Sequence, residues 1–318
     1  MIKEHIVETE FERDVLDGLC QEPKRLLSKY FYDDKGDKLF QEIMKMEEYY
    51  LTRSEFEIFT SQKDSILNAI ERNEEKLQLI EFGAGDGLKT KVLLKYFIEK
   101  GLDFEYLPID ISSSVLSELE EALEKEIPEL KVTTIEDTYF SALNKLDSNH
   151  KKLVLFLGSN IGNFNSDEVI DFLERANRYL NKGDYFLIGV DLKKHPLTIL
   201  DAYNDKRGIT KAFNLNLLAR INRELEGDFD LSQFEHYPTY DPQSGEAKSF
   251  LISLKEQTVE LKKLNQFIHF KYAEPIFMEV SKKYGVKELE DLAFKTNFQV
   301  IEHFYDCKHF FVNTLWKK

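Results

Sequence analysis

The sequence predicts an α/β fold, in which helices flank a mostly parallel sheet, joined by a second, smaller α+β lobe. An apolar strand at residues 77–82 runs into a glycine-rich turn and then into an amphipathic helix. Two further runs, at residues 152–157 and 184–190, are almost continuously apolar, as strands buried on both faces are. After Asp191 this alternation of strands and helices stops, and it returns only at residue 286. The segment between them is therefore predicted to be an insertion.

The other elements follow from the same periodicities. The sheet domain is predicted to contain, in chain order, a strand at 104–110, a helix at 115–123, a strand at 132–135, a helix at 167–180, a helix at 286–296, and terminal strands at 298–306 and 310–316. The N-terminal extension and the insertion are predicted to contain helices at 11–19, 38–46 and 54–60, a mostly helical stretch at 197–226, strands at 234–240, 249–254 and 267–272, and a helix at 277–284. These two segments together are predicted to form the second lobe.

Gly83, Gly85 and Gly87 lie in the turn after the first strand. Glycine lets a backbone turn tightly and approach a ligand, and the start of the next helix supplies unpaired N–H groups. A dinucleotide fingerprint would need a further glycine at position 88, which is Leu88. The observed spacing suits a cofactor that leans on the loop without placing a pyrophosphate on the helix, and S-adenosylmethionine (SAM) is the commonest such cofactor. An NAD-dependent oxidoreductase is a more distant interpretation.

Asp110 ends the second predicted strand, and an acid at that position can accept hydrogen bonds from both ribose hydroxyls. Asp137 and Thr138 follow the third strand, where adenine recognition falls in such a fold. Taken alone, Asp110 also fits an ordinary acid near a helix N-terminus. The order of strand, glycine loop, helix, strand and acid nevertheless favours a SAM-type nucleotide site.

Other polar positions have a structural as well as a functional interpretation. Asn163 follows a buried strand at its carboxyl end, where open α/β sheets bind ligands, but asparagine is also a common turn residue. Tyr49 belongs to a pair of tyrosines, and such residues usually pack with a satisfied hydroxyl. Glu279 and Ser281 are, by default, surface residues of the predicted helix at 277–284.

The composition argues against several classes of function. The chain has 318 residues, 42% hydrophobic and 13% aromatic, which is a globular composition. Its net charge of −15 opposes nucleic-acid binding, so a small-molecule substrate is expected. No window is apolar enough to span a membrane, and the charged N-terminus is unlike a signal peptide, so we expect a cytoplasmic protein without membrane contact. The histidines and cysteines show no metal-ligand spacing, so we expect no metal, and we expect a monomer.

Together these segments resemble the SAM-dependent histidine Nα-methyltransferase family, whose members trimethylate histidine to hercynine in ergothioneine biosynthesis. The resemblance covers nearly the whole chain. It is carried by residues 30–40, 48–55, 81–90, 108–112, 156–163, 189–192, 202–205, 213–216 and 222–225. The first two segments and the Gly-Ser-x-Ile-Gly-Asn part of 156–163 are quite specific, whereas the glycine loop alone indicates only a methyltransferase.

The resemblance implies a Rossmann-like class I SAM methyltransferase sheet and a role for each matching residue. The residues implied to bind SAM, counting Gly85 of the same loop, are Gly83, Gly85, Lys89, Asp110, Asp137 and Thr138. The residues implied to bind L-histidine are Tyr49, Asn163, Tyr203, Glu279 and Ser281, and those implied to be catalytic are Tyr32, Tyr49 and Asn163. Glu279 and Ser281 matter most, because a carboxylate and a hydroxyl two residues apart can engage the two imidazole nitrogens.

The resemblance also implies that different parts of the chain bind the cofactor and the substrate. Residues 61–199 plus 287–318 are predicted to form the SAM-binding domain, and residues 1–60 plus 200–286 the substrate-binding lobe. One position departs from the family pattern, because Ser249 stands where an apolar residue of the imidazole pocket is implied. Two alternatives stay open: an Nα-methyltransferase of another free amino acid, and a non-catalytic SAM-binding sensor.

Overall fold

The computed structural model describes residues 9–70, 76–146 and 150–318. The chain divides into two compact units. The first unit contains the described residues up to Tyr50 together with Lys194–Ser281, and the second contains Leu51–Lys193 and Lys282–Lys318. The N-terminus, on which the signal-peptide prediction depends, lies largely outside the described residues. None of the helices in the described ranges is long and apolar enough to cross a membrane.

Helices and strands occur in both units. The helices are α1 Glu10–Cys20, α2 Asp34–Met44, α3 Leu51–Ala69, α4 Thr90–Glu99, α5 Ser113–Glu126, α6 Tyr139–Lys145, α7 Ser166–Tyr179, α8 Pro196–Ala202, α9 Ile209–Glu224 and α10 Val286–Lys295. The strands are β1 Leu77–Phe82, β2 Phe104–Asp110, β3 Ile135–Glu136, β4 Lys151–Phe156, β5 Tyr185–Asp191, β6 Phe234–Asp241, β7 Glu246–Ser253, β8 Gln257–Leu261, β9 Gln266–Phe270, β10 Pro275–Lys282, β11 Gln299–Tyr305 and β12 Phe311–Lys317.

The second unit is built on a seven-stranded sheet with the order β11-β12-β5-β4-β1-β2-β3. Strands β1 to β5 run parallel, and β12 pairs antiparallel with both β5 and β11. The sheet is mostly parallel and is accompanied by helices, so the predicted α/β fold is confirmed. The order reverses between β1 and β4, and ligands of open α/β sheets bind beyond the carboxyl ends of the strands at such a point.

The sheet of the second unit forms the centre of its core. Every residue of β1 and of β5 is buried, which explains the almost continuously apolar sequence of β5. Gln78 and Glu81 are the buried polar residues of β1. Helix α7 covers the sheet with an apolar face that includes Phe172 and Leu173, and its N-terminus is closed by a capping box between Asn165 and Glu168. These local signals explain why the core elements were predictable from the sequence alone.

The first unit contains a three-stranded sheet, β10-β7-β6, and the hairpin β8-β9. Its core is made by the apolar faces of α1, α2 and α9 together with inward-facing strand residues such as Leu251 and Met278. At the start of α2, the Asp33 carboxylate accepts from the backbone N–H of Gly36 at 2.8 Å and from the side chain of Asn216 on α9 at 2.7 Å.

One predicted element is wrong. Residues 277–284 were predicted to be helical, but the structure has the strand β10 at Pro275–Lys282, paired with β7. A short apolar run does not distinguish a strand from a helix, and here pairing with β7 decided the outcome. The correction changes the site argument: residues two apart lie on the same side of a strand, whereas they diverge on a helix. Glu279 and Ser281 are therefore neighbours on one face of β10.

Smaller differences concern element lengths. The predicted helix at 54–60 belongs to a much longer helix, α3, which lies wholly in the second unit. The predicted strand at 132–135 is reduced to β3, and α6 and β8 were not predicted. That the first unit binds the substrate stays a prediction.

Candidate cofactor and substrate sites

The turn after β1 is held open by glycines with left-handed backbone angles. Gly83 and Gly85 have φ of 66° and 54°. A Cβ on Gly83 would lie 3.0 Å from the Tyr139 hydroxyl, whereas a Cβ on Gly85 would meet nothing within 4 Å. Space therefore remains over Gly85 for a ligand to approach the backbone. Both predicted cofactor glycines lie in this loop, at the sheet edge where ligands are expected.

Asp110 lies at the end of β2, as predicted, and is half-buried. Its Oδ1 accepts from the backbone N–H of Ser112 at 3.0 Å, and no side chain among the described residues donates to this carboxylate. Burial raises the pKa of Asp110. Burial and the nearby Asp110 charge raise the pKa of Tyr139 to about 12. Asp110 thus keeps acceptor capacity in a partly desolvated place, which fits a ribose diol.

Asp137 and Thr138 connect β3 to α6. The Asp137 carboxylate accepts from the backbone N–H of Thr138 at 2.7 Å, from Ser141 Oγ at 2.8 Å and from Lys145 Nζ at 2.6 Å. These donors, led by Lys145, lower the pKa of Asp137. Its backbone N–H donates to the Asp110 carbonyl oxygen at 3.2 Å. The Asp137 side chain therefore fixes the start of α6 beside Asp110.

Lys89 ends the glycine turn and pairs with Glu55 on α3. Lys89 Nζ lies 2.5 Å from Glu55 Oε2, and that same oxygen accepts from the backbone N–H of Gly158 at 2.9 Å. Glu55 is completely buried. It also occupies the space that a side chain at Gly189 on β5 would fill. One carboxylate therefore joins the loop after β1 to the loop after β4, a role that the sequence reasoning missed.

Asn163 ends a short 3-10 turn, Asn160–Asn163, that follows β4, and its side chain is exposed. The turn is fixed from outside: the backbone N–H of Asp191 donates to Ser159 Oγ at 3.0 Å, and a Cβ on Gly162 would lie 2.6 Å from the Lys282 carbonyl oxygen. This close packing favours a ligand-binding role for the turn over that of an ordinary connection. It also fixes the direction in which the chain leaves at Asn163.

Asn160, in the same turn, was not among the predicted site residues. Its amide group lies within 4.0 Å of the positions that a Cβ on Gly83 and on Gly158 would take, and its side chain makes no hydrogen bond within the described part of the chain. A half-buried amide that faces the glycine loop is suited to contact a bound ligand. Its place two residues after Gly158 was the available signal.

In the first unit, four of the predicted residues belong to one contiguous cluster. The Tyr203 hydroxyl donates to Ser281 Oγ at 2.9 Å, and the rings of Tyr203 and Tyr49 pack edge to face with centroids 6.4 Å apart. Phe40 lies between Tyr49, at 6.4 Å, and Tyr32, at 5.6 Å. We call these five residues the tyrosine cluster. It combines hydroxyl groups with aromatic walls, as sites for small polar ligands do.

Glu279 lies on β10, two residues before Ser281, and contacts Ser249 on the neighbouring strand β7. Ser249 Oγ is 3.4 Å from Glu279 Oε1, and His236 Nε2 is 3.4 Å from Ser249 Oγ. Burial lowers the pKa of His236 to about 4, so this histidine is neutral at pH 7. Where the family pattern implies an apolar wall, this chain has the hydroxyl of Ser249, which contacts Glu279.

One group of possible metal ligands occurs among the described residues, formed by Glu57, Asp306 and Cys307, whose ligand atoms lie within 4.8 Å of one another. The two carboxylates of this group already accept backbone hydrogen bonds. The backbone N–H of Cys307 donates to Glu57 at 2.8 Å, and those of Phe310 and Phe311 donate to Asp306 Oδ1 at 2.7 Å. The two carboxylates therefore act as caps for this turn. That the protein uses no metal stays a prediction.

A model of the family described as "Histidine-specific methyltransferase, SAM-dependent" matches residues 11–318, which is almost the entire chain. The chain belongs to this family. The observed sheet, the glycine loop with Asp110, and the family together assign the protein to the SAM-dependent methyltransferases, with SAM as the cofactor.

This chain is similar in sequence to several named proteins. It is 34% identical over 272 residues to "Histidine N-alpha-methyltransferase" of Mycobacterium tuberculosis, covering 86% of this chain and 84% of that protein. It is 32% identical to "Ergothioneine biosynthesis protein 1" of Schizosaccharomyces pombe, with 90% of this chain matching 37% of that longer protein. It is 26% identical to the "L-tryptophan methyltransferase" of Psilocybe serbica, covering 87% of this chain and 84% of that one.

Proposed function

We propose that this methyltransferase transfers three methyl groups from SAM to the α-amine of L-histidine and forms hercynine. The observation that carries the proposal is the placement of Glu279 and Ser281 on one face of β10, with Ser281 hydrogen-bonded to Tyr203 of the tyrosine cluster. The family and the relative of Mycobacterium tuberculosis support the same substrate.

The imidazole ring explains why a carboxylate and a hydroxyl are needed together. A neutral imidazole has one N–H donor and one nitrogen acceptor. Glu279 accepts from the ring N–H, and Ser281 donates to the other nitrogen. Because the Tyr203 hydroxyl supplies the proton of the Tyr203–Ser281 bond, Ser281 is oriented to donate its own. An indole ring has only an N–H donor, so it would use Glu279 and leave the Ser281 donor without an acceptor.

The amino-acid backbone of the substrate is assigned to the remaining residues. Tyr49 donates its hydroxyl proton to the carboxylate, and Asn163 orients the amine through its amide oxygen. Tyr203, whose hydroxyl proton goes to Ser281, borders the substrate with its ring. Tyr32, which is 47% exposed, accepts or relays the proton that the ammonium releases. These groups hold the carboxylate by hydrogen bonds, without a strong cation.

When bound, SAM supplies an electrophilic methyl group on a sulfonium. The protein's task is then to align a neutral amine with that methyl group, since an ammonium has no lone pair. Partial burial favours loss of the ammonium charge. Gly83 and Gly85 provide the backbone surface for SAM, Asp110 accepts from its ribose, and the Asp137-Thr138 pair lies where the adenine is expected. Lys89, held by Glu55, supplies a cation near this loop.

The substrate class also follows from charge. The net charge of −15 supports a small substrate over nucleic acid, and we propose that the protein acts as a monomer in the cytoplasm, without membrane contact. Histidine then has to diffuse to the site as a free amino acid, and the product leaves the same way.

The test is an incubation of the protein with SAM and each of the standard amino acids, read by mass spectrometry. We expect three methyl groups on histidine and none on the others. Methylation of another amino acid instead would remove the imidazole assignment while keeping the reaction. SAM binding without turnover on any of them would revive a non-catalytic sensor.

A variant sharpens this test. Glu279→Gln keeps the side-chain size but removes the negative charge of the carboxylate that accepts from the imidazole N–H. Activity on histidine should therefore fall at least tenfold, while the affinity for SAM is unchanged. Glu235→Gln, on exposed β6 surface, is the matched control and should behave like the wild type. Equal activity of the two variants would contradict the imidazole assignment.

A further inference from the structure

The polar contact at Glu279 extends away from the tyrosine cluster. His236, Ser249 and Glu279 lie on β6, β7 and β10, which are three adjacent strands of one sheet. Ser249 is paired opposite Pro238, so His236 is its diagonal neighbour two residues away. The three side chains thus form a row across the strands, with contacts of 3.4 Å on each side of Ser249.

The direction of the two hydrogen bonds follows from counting protons. An ionised carboxylate only accepts, so Ser249 must donate its single hydroxyl proton to Glu279. The Ser249 oxygen can then only accept from His236, which requires a proton on His236 Nε2. Since His236 is neutral at pH 7, its Nδ1 carries no proton. The row therefore has one fixed polarity, from His236 through Ser249 to Glu279.

The hydrogen bonds of this row matter because two of its side chains are buried. His236 is 9% exposed and Ser249 is 1% exposed, so water contributes little to either polar group. An apolar residue at position 249 would leave Glu279 with one donor fewer and the buried His236 N–H without this acceptor. Because His236 and Ser249 form a polar pair where an apolar wall is implied, we expect them to have a function beyond packing.

We propose that His236 and Ser249 are positioning residues that hold the Glu279 carboxylate toward the imidazole of the substrate. The inference rests on the proposed function and deepens it, because it names the residues that set the preference for an N–H-bearing ring. Ser249 restricts the rotation of the Glu279 side chain, and His236 in turn fixes the orientation of the Ser249 hydroxyl. The substrate then meets an acceptor that is already oriented.

The experiment measures the Kd of L-histidine by calorimetry, in the presence of S-adenosylhomocysteine, together with KM and kcat. Ser249→Ala should weaken L-histidine about three- to tenfold, with kcat within about twofold and unchanged SAM affinity. His236→Phe, which keeps a ring but loses the N–H, should cause a similar weakening. Ser249→Thr keeps the hydroxyl and should restore most of the affinity.

A matched control is available on the same strand. Ser253 is also fully buried on β7, but its hydroxyl donates to the Lys255 carbonyl oxygen at 2.8 Å, away from Glu279. Ser253→Ala should therefore leave the affinity for L-histidine unchanged. If it weakens L-histidine as much as Ser249→Ala does, the effect comes from general loss of packing and the inference is wrong.

Combination with Glu279→Gln separates a positioning role from an independent one. If Ser249 acts through Glu279, Ser249→Ala has little further effect in the Glu279→Gln background, whereas additive losses would overturn the inference. Failure of the proposed function looks different, because the wild type itself would then not bind or methylate L-histidine. If the wild type methylates histidine and Ser249→Ala binds L-histidine as tightly as the wild type does, only the positioning role of His236 and Ser249 is overturned.

Discussion

The hydroxyl of Tyr203 donates a hydrogen bond to Ser281 Oγ at 2.9 Å, and both residues are buried. Tyr203 directly follows α8, whereas Ser281 lies near the end of β10, 78 positions further along the chain. The bond therefore connects the aromatic part of the tyrosine cluster with the strand that carries Glu279. It gives the proposed imidazole-binding face a fixed hydroxyl geometry.

Removing this hydrogen bond should weaken substrate binding. In Tyr203→Phe the ring packing against Tyr49 is kept, but the hydrogen bond from the Tyr203 hydroxyl to Ser281 is lost, so KM for L-histidine should rise about three- to tenfold. Steady-state kinetics with saturating SAM measures the change. Tyr237→Phe is the control, because Tyr237 is 58% exposed on β6, and it should have wild-type kinetics. An unchanged KM in Tyr203→Phe would show that this bond does not act in recognition.

Asp110→Asn should weaken SAM binding about tenfold or more, because a ribose diol bound to a carboxylate makes charge-assisted hydrogen bonds. Calorimetry at pH 7 measures this loss. The pKa of Asp110 is raised by burial, so acidification should weaken SAM binding to the wild type at a higher pH than an ordinary aspartate would, and the variant should lack this component. Asp103→Asn, an exposed position just before β2, should bind SAM normally.

Glu81, on β1, makes the stability of the protein depend on pH. Burial raises its pKa to about 7 from 4.5, although donors from Tyr106 and Thr90 oppose the shift. The folded state therefore holds a proton that the unfolded chain has lost between about pH 4.5 and 7, so stability decreases as the pH rises through this window. The decrease amounts to at most about 3 kcal/mol.

Glu81→Gln should remove this dependence, because the neutral amide cannot titrate. We expect the variant to gain stability relative to the wild type at pH 8 compared with pH 5, measured by urea unfolding at both pH values. A control substitution at exposed Glu118 should leave the pH dependence as it is. Parallel pH profiles of Glu81→Gln and wild type would contradict the raised pKa.

Lys283 and Asp191 form a completely buried ion pair with a distance of 3.0 Å between Nζ and Oδ2. Lys283→Met should destabilise the protein by about 3–5 kcal/mol, because the buried Asp191 carboxylate loses this cationic partner. Lys287→Met disrupts an exposed pair with Asp291 and should cost less than about 1 kcal/mol. Unfolding by denaturant compares the two, and similar losses would indicate that water reaches the buried pair.

Most of the sheet domain could be predicted because its signals are local. Alternating apolar runs, the glycine turn and the capping residues each lie within a few positions of the element they define. The predicted position of Asp110 at the end of a strand was right for the same reason. Strand β10 was mistaken for a helix because a short apolar run has no local feature that separates the two, and only pairing with β7 decides.

The candidate sites were less predictable than the fold. The buried Glu55 accepts from the backbone N–H of Gly158, which lies 103 positions away. It also needs the space left by the absence of a side chain at Gly189. Likewise, Ser249 could be recognised as a departure from the family pattern, but its contacts with His236 and Glu279 could not. Such relationships carry no periodic signal, because they join residues from elements that are distant in the sequence.

The sequence by itself determined the α/β class, the glycine loop with its acid at the end of β2, and the family, since each depends on short segments with their own physical signature. The tertiary structure decided that Glu279 and Ser281 share one face of a strand, that Tyr203 donates to Ser281, and that a buried histidine stands behind Ser249. These facts require strands and helices to pair over long distances, because hydrogen bonding and burial are properties of the assembled core.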